Sequence, residues 1–96
     1  MRFHFHPEAD KEFDEVVRYY EDCQPGLGLD FAEEMYATIT RICEYPDAWS
    51  QMSKNTRRCL MNRFPYGVIF QSKSGMLLIL AVANLHRRPG YWKARI

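Results

Sequence analysis

Apolar positions along this chain follow three different rhythms. From Arg2 to His6, Phe3 and Phe5 alternate with Arg2, His4 and His6, the period of a half-buried strand. The period then changes: Ala9, Phe13, Val16, Val17 and Tyr20 recur at spacings of three and four, predicting an amphipathic helix from Pro7 to about Glu21 with an acidic outer face. Pro7 suits a first helical turn, and Glu8, Asp10 and Glu12 lie near the positive end of the helix dipole. The run Gln24-Pro25-Gly26-Leu27-Gly28 is a compact breaker. Asp30 is then the expected N-cap of a second helix, in which Phe31, Met35, Ile39 and Ile42 make the apolar stripe up to about Glu44 before Pro46 stops it. A loop this short predicts an antiparallel helical hairpin.

The second half reads as strands. Asp47 to Asn55 is irregular, with Trp49 and Met52 as anchors. Arg57 to Phe64 alternates loosely, putting Cys59, Met61 and Arg63 on one face and Arg58, Leu60, Asn62 and Phe64 on the other. After Pro65, Tyr66 to Gln71 forms another strand, and Ser72 to Gly75 is a hairpin loop. Met76 to Val82 is apolar at every position, the mark of a central strand buried on both faces. The order β-α-α-β-β-β predicts an α+β fold, a small antiparallel sheet with an N-terminal strand and the two-helix hairpin packed on one face. The 96 residues make a single domain, 1–96, able to bury roughly two-thirds of its unfolded surface. No apolar run approaches the ~20 residues that cross a bilayer, and MRFHFHPEAD does not resemble a signal peptide. The expected location is the cytoplasm, with no membrane partner. Cys23, Cys43 and Cys59 are widely spaced free thiols, without a C-x-x-C pair.

Charge sharpens this picture. All 12 acidic residues lie in Met1 to Asp47, against 4 basic ones, whereas Ala48 to Ile96 holds 9 basic residues and no acid. The halves therefore carry −8 and +9. Such segregation offers a positive surface to a polyanion or an acidic partner, and it also suits two acidic helices packed beside a basic sheet. The basic residues gather where the apolar strand ends, in His86, Arg87, Arg88, Pro89, Gly90, Tyr91, Trp92, Lys93 and Arg95. The strand would carry these groups to the edge of the sheet.

Several pieces, in order, resemble the RelE/ParE superfamily of toxins from type II toxin–antitoxin systems, which includes many plasmid stabilisation proteins. They are Phe3 to Ala9 (FHFHPEA), Tyr19-Tyr20-Glu21, Pro25-Gly26-Leu27-Gly28 with Phe31, and Arg41-Ile42 before Pro46. Arg57-Arg58 leading to Phe64-Pro65-Tyr66-Gly67-Val68 follows, and then Ile79 to Val82 leading to His86-Arg87-Arg88-Pro89-Gly90-Tyr91-Trp92. The resemblance spans essentially the whole chain. It implies a β-α-α-β-β-β toxin, growth inhibition, and neutralisation by a cognate antitoxin whose extended or helical segment wraps it. It also implies one of two targets, DNA gyrase or, for the ribonuclease members, messenger RNA in the ribosome.

Metal-free RNA cleavage needs a base for the 2′-hydroxyl, fixed cations for the phosphate and an acid for the leaving oxygen. His86 is the titratable candidate, with Arg87 and Arg58 as catalytic neighbours. Arg57, Arg63, Arg88, Lys93 and Arg95 are candidates for gripping nucleic acid or a partner, and Tyr91 and Trp92 for stacking on an unpaired base. Each has a structural alternative: His86 as an ordinary strand-end residue, Tyr91 and Trp92 packing the tail onto the sheet, the arginines pairing with helical carboxylates. One departure stands out. Where the ribonuclease members usually carry an arginine after the aromatic that begins the third strand, this chain has Gly67 after Tyr66, and Leu60 and Met61 stand where cations would be expected. No cofactor is called for, and His4 and His6 share a strand face without an apparent third metal ligand.

Overall fold

The computed structural model describes every residue from Met1 to Ile96. Strand β1 (Arg2–Phe5) leads into helices α1 (Pro7–Cys23) and α2 (Leu27–Glu44), followed by strands β2 (Ser50–Ser53), β3 (Thr56–Leu60), β4 (Tyr66–Lys73) and β5 (Met76–Asn84) and a 3-10 turn at Lys93–Arg95. The five strands form one sheet in the order β1-β5-β4-β3-β2. The α+β class and the helical hairpin are as expected. The sheet, however, is mixed, because β1 runs parallel to β5 with Arg2 opposite Met76 and Phe5 opposite Ile79. Strand periodicity reports which face a residue uses, not which way its neighbour runs.

Two further details differ from the reading by pattern. The stretch expected to be irregular contains β2, whose pairing with β3 is interrupted by a register shift between Gln51 and Ser53. So short a bulged strand has no clean alternation to detect. The strand starting near Arg57 ends at Leu60, so Phe64 turns back into the helix-facing core beside Met61 instead of lying on the face of Arg58. Glu34 of α2 enforces that turn by accepting from the backbone N–H of Asn62 (2.6 Å) and Arg63 (2.9 Å).

The second helix also begins earlier than Asp30. Its N-terminus is capped from outside, by the carboxylate of Glu21 on α1, which accepts from the N–H groups of Gly26 (3.0 Å) and Gly28 (3.1 Å). Gly28 lies so near α1 that a Cβ there would stand 2.6 Å from the carbonyl oxygen of Val17. The β4–β5 hairpin closes through Ser74 and Gly75, both with positive φ (53° and 75°), the signature of a two-residue type I′ turn.

The main core lies between the helices and one sheet face. Ala9, Phe13 and Val16 of α1 and Phe31, Met35, Ile39 and Ile42 of α2 meet Cys59, Val68, Phe70, Leu77, Ile79 and Val82. Aromatic rings run through it: Phe5 stacks on Phe13 at 5.6 Å between centroids, and Phe31 meets Phe64 edge-on at 5.1 Å. Such pairs each add about 0.5–1.5 kcal/mol beyond burial alone. The other face is covered by the C-terminal tail, where Trp92, 4% exposed, packs on Ile69, Leu80, Ala81 and Ala83.

Candidate cationic cleft

Beyond Asn84 the chain leaves β5, turns back through Pro89 and Gly90, and returns across the sheet face opposite the helices. Asn84 starts this turn by accepting from the backbone N–H of His86 at 2.8 Å. Between the returning tail and the sheet lies a cleft of about 70 Å³. Its charged lining is Arg58 from β3 with Arg87 and Arg88 from the tail; Tyr91, Trp92, Met52, Ile69 and Ala83 supply its apolar walls. No acid and no histidine lines it.

Arg58 reaches this place because the strand beneath it is bare. A Cβ on Gly67 would stand 3.1 Å from both Cγ and Cδ of Arg58, so the arginine stem lies across the vacant glycine position of β4. The Nε of Arg58 is buried without a hydrogen-bond partner. Gly67, which departs from the ribonuclease pattern, is thus the floor on which a different arginine rests.

Arg87 is steered from two sides. Its guanidinium stacks on the Tyr91 ring at 3.8 Å, and one nitrogen lies 3.6 Å from the carboxylate of Glu12. Arg95 binds the same carboxylate in two-pronged fashion, both contacts at 2.9 Å, and also donates to the carbonyl of Leu80 at 2.9 Å. The Glu12 hydrogen bond raises the pKa of Arg95. Tyr91 lies between the two guanidiniums. Burial, and then the nearby negative charge of Glu12, push its phenol up to about 12, although the hydroxyl itself reaches no acceptor at hydrogen-bond distance.

The candidates named from sequence therefore separate into groups. Arg58, Arg87, Arg88, Tyr91 and Trp92 come together at the cleft, with the Trp92 ring largely sunk into the sheet. His86 is exposed on the adjoining turn and does not line the cleft. Lys93 is exposed, its stem folded against Gly90. Arg95 is 12% exposed and committed to Glu12. Arg63 faces Asp30 of α2 at 3.5 Å. Arg57, one residue from Arg58 and so on the opposite sheet face, donates to the Trp49 carbonyl at 2.8 Å and lines a separate, more polar hollow of about 180 Å³ with Lys54 and Asp47.

Glu12 is the important residue that sequence reasoning passed over as one helix-dipole acid among several. A signal was present: Glu12 lies three residues after Ala9 and four before Val16, inside the apolar stripe rather than on the acidic face.

No protein-family model matches the sequence, and no curated protein does either. Among solved structures, the fold matches a chain of the one described as the chromosomal ParDE TA system from P. aeruginosa, with a TM-score of 0.75. The match covers 88% of this chain and 95% of that one at 15% identity. The strand, helical hairpin and sheet are thus those of the fold to which the sequence resemblance pointed. No helix is long and apolar enough to cross a membrane.

Proposed function

We propose that this protein is the toxin of a type II toxin–antitoxin module, held inactive by a cognate antitoxin and inhibiting growth through DNA gyrase or through translation in the cytoplasm. The observation that carries the reading is the likeness in fold, over 88% of this chain, to a chain of a ParDE toxin–antitoxin system. The cationic cleft supports it by giving the basic half of the chain a definite place to act.

Within that reading, binding is favoured over RNA cleavage. Three arginines around one cleft suit phosphate oxygens or a carboxylate-rich partner surface. A ribonuclease would also need a group that takes and returns a proton, and neither histidine nor carboxylate lines this cleft. His86 stands nearby on the exposed turn, so a ribosome-dependent ribonuclease would have to recruit it on binding messenger RNA.

The test is inducible expression in a bacterial host, alone and with the small open reading frame encoded beside it. Growth arrest alone and rescue on co-expression are expected. Normal growth alone, with no complex between the two products, overturns the toxin reading and leaves a non-toxic basic binding module. For a toxic chain, gyrase supercoiling assays and primer-extension mapping of a message translated in a cell-free reaction separate the targets. New RNA ends that require ribosomes and vanish with His86→Ala would establish the cleaving branch.

A further inference from the structure

The half of β5 that leads to the cleft lacks a strand neighbour on one side. The β1 ladder ends with Phe5 opposite Ile79, and the N–H of His6 closes it by donating to the Ile79 carbonyl at 2.8 Å. Beyond that point the Leu80 carbonyl and Val82 N–H have no β1 partner. Two side chains serve instead: Arg95 donates to Leu80, and Glu12 accepts from Val82 at 3.0 Å. These same side chains form the two-pronged pair with each other. A single carboxylate on α1 thus takes the place of a strand edge, anchors the last residues of the chain and lies beside the Arg87 guanidinium.

We propose that Glu12 is a positioning residue of the cationic cleft. By holding Arg95 against β5 it pins the loop from Asn84 to Arg95 at its far end and keeps Arg87 over Tyr91, across from Arg58. The ligand class is a phosphate-bearing polyanion, and this inference rests on the cleft being a binding site. It carries a counter-intuitive sign. Removing an acid from a protein that binds a polyanion ordinarily tightens binding. Removing this acid releases a half-buried guanidinium, frees the tail and weakens binding.

The experiment uses the full chain carrying Trp49→Phe, so that Trp92 is the only tryptophan. Affinity for a fluorescein-labelled single-stranded RNA 12-mer is read by anisotropy, and tail docking by the emission maximum of Trp92. Glu12→Gln is compared with Glu15→Gln, which removes the same charge from an exposed position on α1. The expected result is about fivefold weaker binding with red-shifted emission for Glu12→Gln, against unchanged or tighter binding and unshifted emission for Glu15→Gln. Arg95→Lys keeps the charge but loses the fork. It should reproduce the Glu12→Gln pattern, and it decides the matter if Glu12→Gln fails to fold by circular dichroism. Binding unchanged or tighter with emission unshifted, in whichever variant folds, overturns the proposal. If the parent chain does not bind RNA, the polyanion reading of the cleft falls. Trp92 emission alone then decides whether Glu12 docks the tail, an unshifted maximum overturning that as well.

Discussion

Replacing Gly28 with alanine tests how closely the two helices are built together. In a helix without neighbours, glycine to alanine stabilises by about 0.5–1 kcal/mol, because alanine has less backbone freedom to lose. Here the new methyl would stand 2.6 Å from the Val17 carbonyl oxygen and 3.0 Å from both Cβ and a carboxylate oxygen of Glu21. The first of these is backbone in the middle of α1 and cannot swing aside. Relief requires α1 and α2 to separate by a fraction of an ångström along a contact that includes Phe13 on Phe31 and Tyr20 on Phe31. Overpacking of this kind costs about 1–3 kcal/mol. The same movement loosens the Glu21 cap on Gly26 and Gly28, a contribution of about 0.5–2 kcal/mol in comparable caps. After the propensity gain is subtracted, Gly28→Ala should destabilise by about 1–3 kcal/mol. For a domain of this size that lowers the melting temperature by roughly 5–20 °C. Thermal unfolding followed by circular dichroism, with urea midpoints as a second measure, checks it. A variant as stable as the parent, or more so, would show that the helices have slack at this crossing and refute the close-contact argument.

Tyr91 gives a prediction in pH. Its phenol is held up to about 12 when folded, whereas an unfolded tyrosine ionises near 10, so between those values the unfolded chain gives up a proton that the folded one keeps. The associated stability is therefore whole below pH 10 and is lost as the pH rises towards 12. Urea midpoints between pH 9 and 11 should fall more steeply for the parent than for Tyr91→Phe, and parallel curves would contradict the assignment. At neutral pH Tyr91→Phe should be as stable as the parent or slightly more so, since it deletes a buried hydroxyl without a partner. Ser74→Asn should raise stability by about 0.5 kcal/mol, because asparagine tolerates the positive φ of 53° better than serine does; a lower melting temperature would argue against the type I′ assignment.

Much of the fold was legible because local rules and tertiary packing agree. The stripe of Ala9, Phe13 and Val16, the solid run from Met76 and the breaker around Pro25 each describe an element that formed where its pattern lay. What escaped the pattern depends on partners distant in sequence. The start of α2 is set by Glu21 rather than by its own N-cap, and the direction of β1 is set by β5. At the cleft, residue type identified the arginines and aromatics near Arg87, but not their division of labour. Arg63 and Arg95 look alike in sequence, and only the presence of Asp30 or Glu12 nearby separates them from Arg88. Gly67 was visible as a missing arginine; that its emptiness seats Arg58 follows only from the register of β3 on β4.

The parallel pairing of β1 with β5 bears on how the chain comes to fold during synthesis. Arg2 finds its strand partner at Met76, seventy-four positions later. At 5–20 residues per second the ribosome takes roughly 4–15 s to make that partner. During this interval the helical hairpin can assemble from local contacts, but the first strand has nothing to pair with. The tail that walls the cleft emerges later still. The basic cleft therefore cannot exist before Trp92 and Arg95 have been made, well after the helical hairpin has formed.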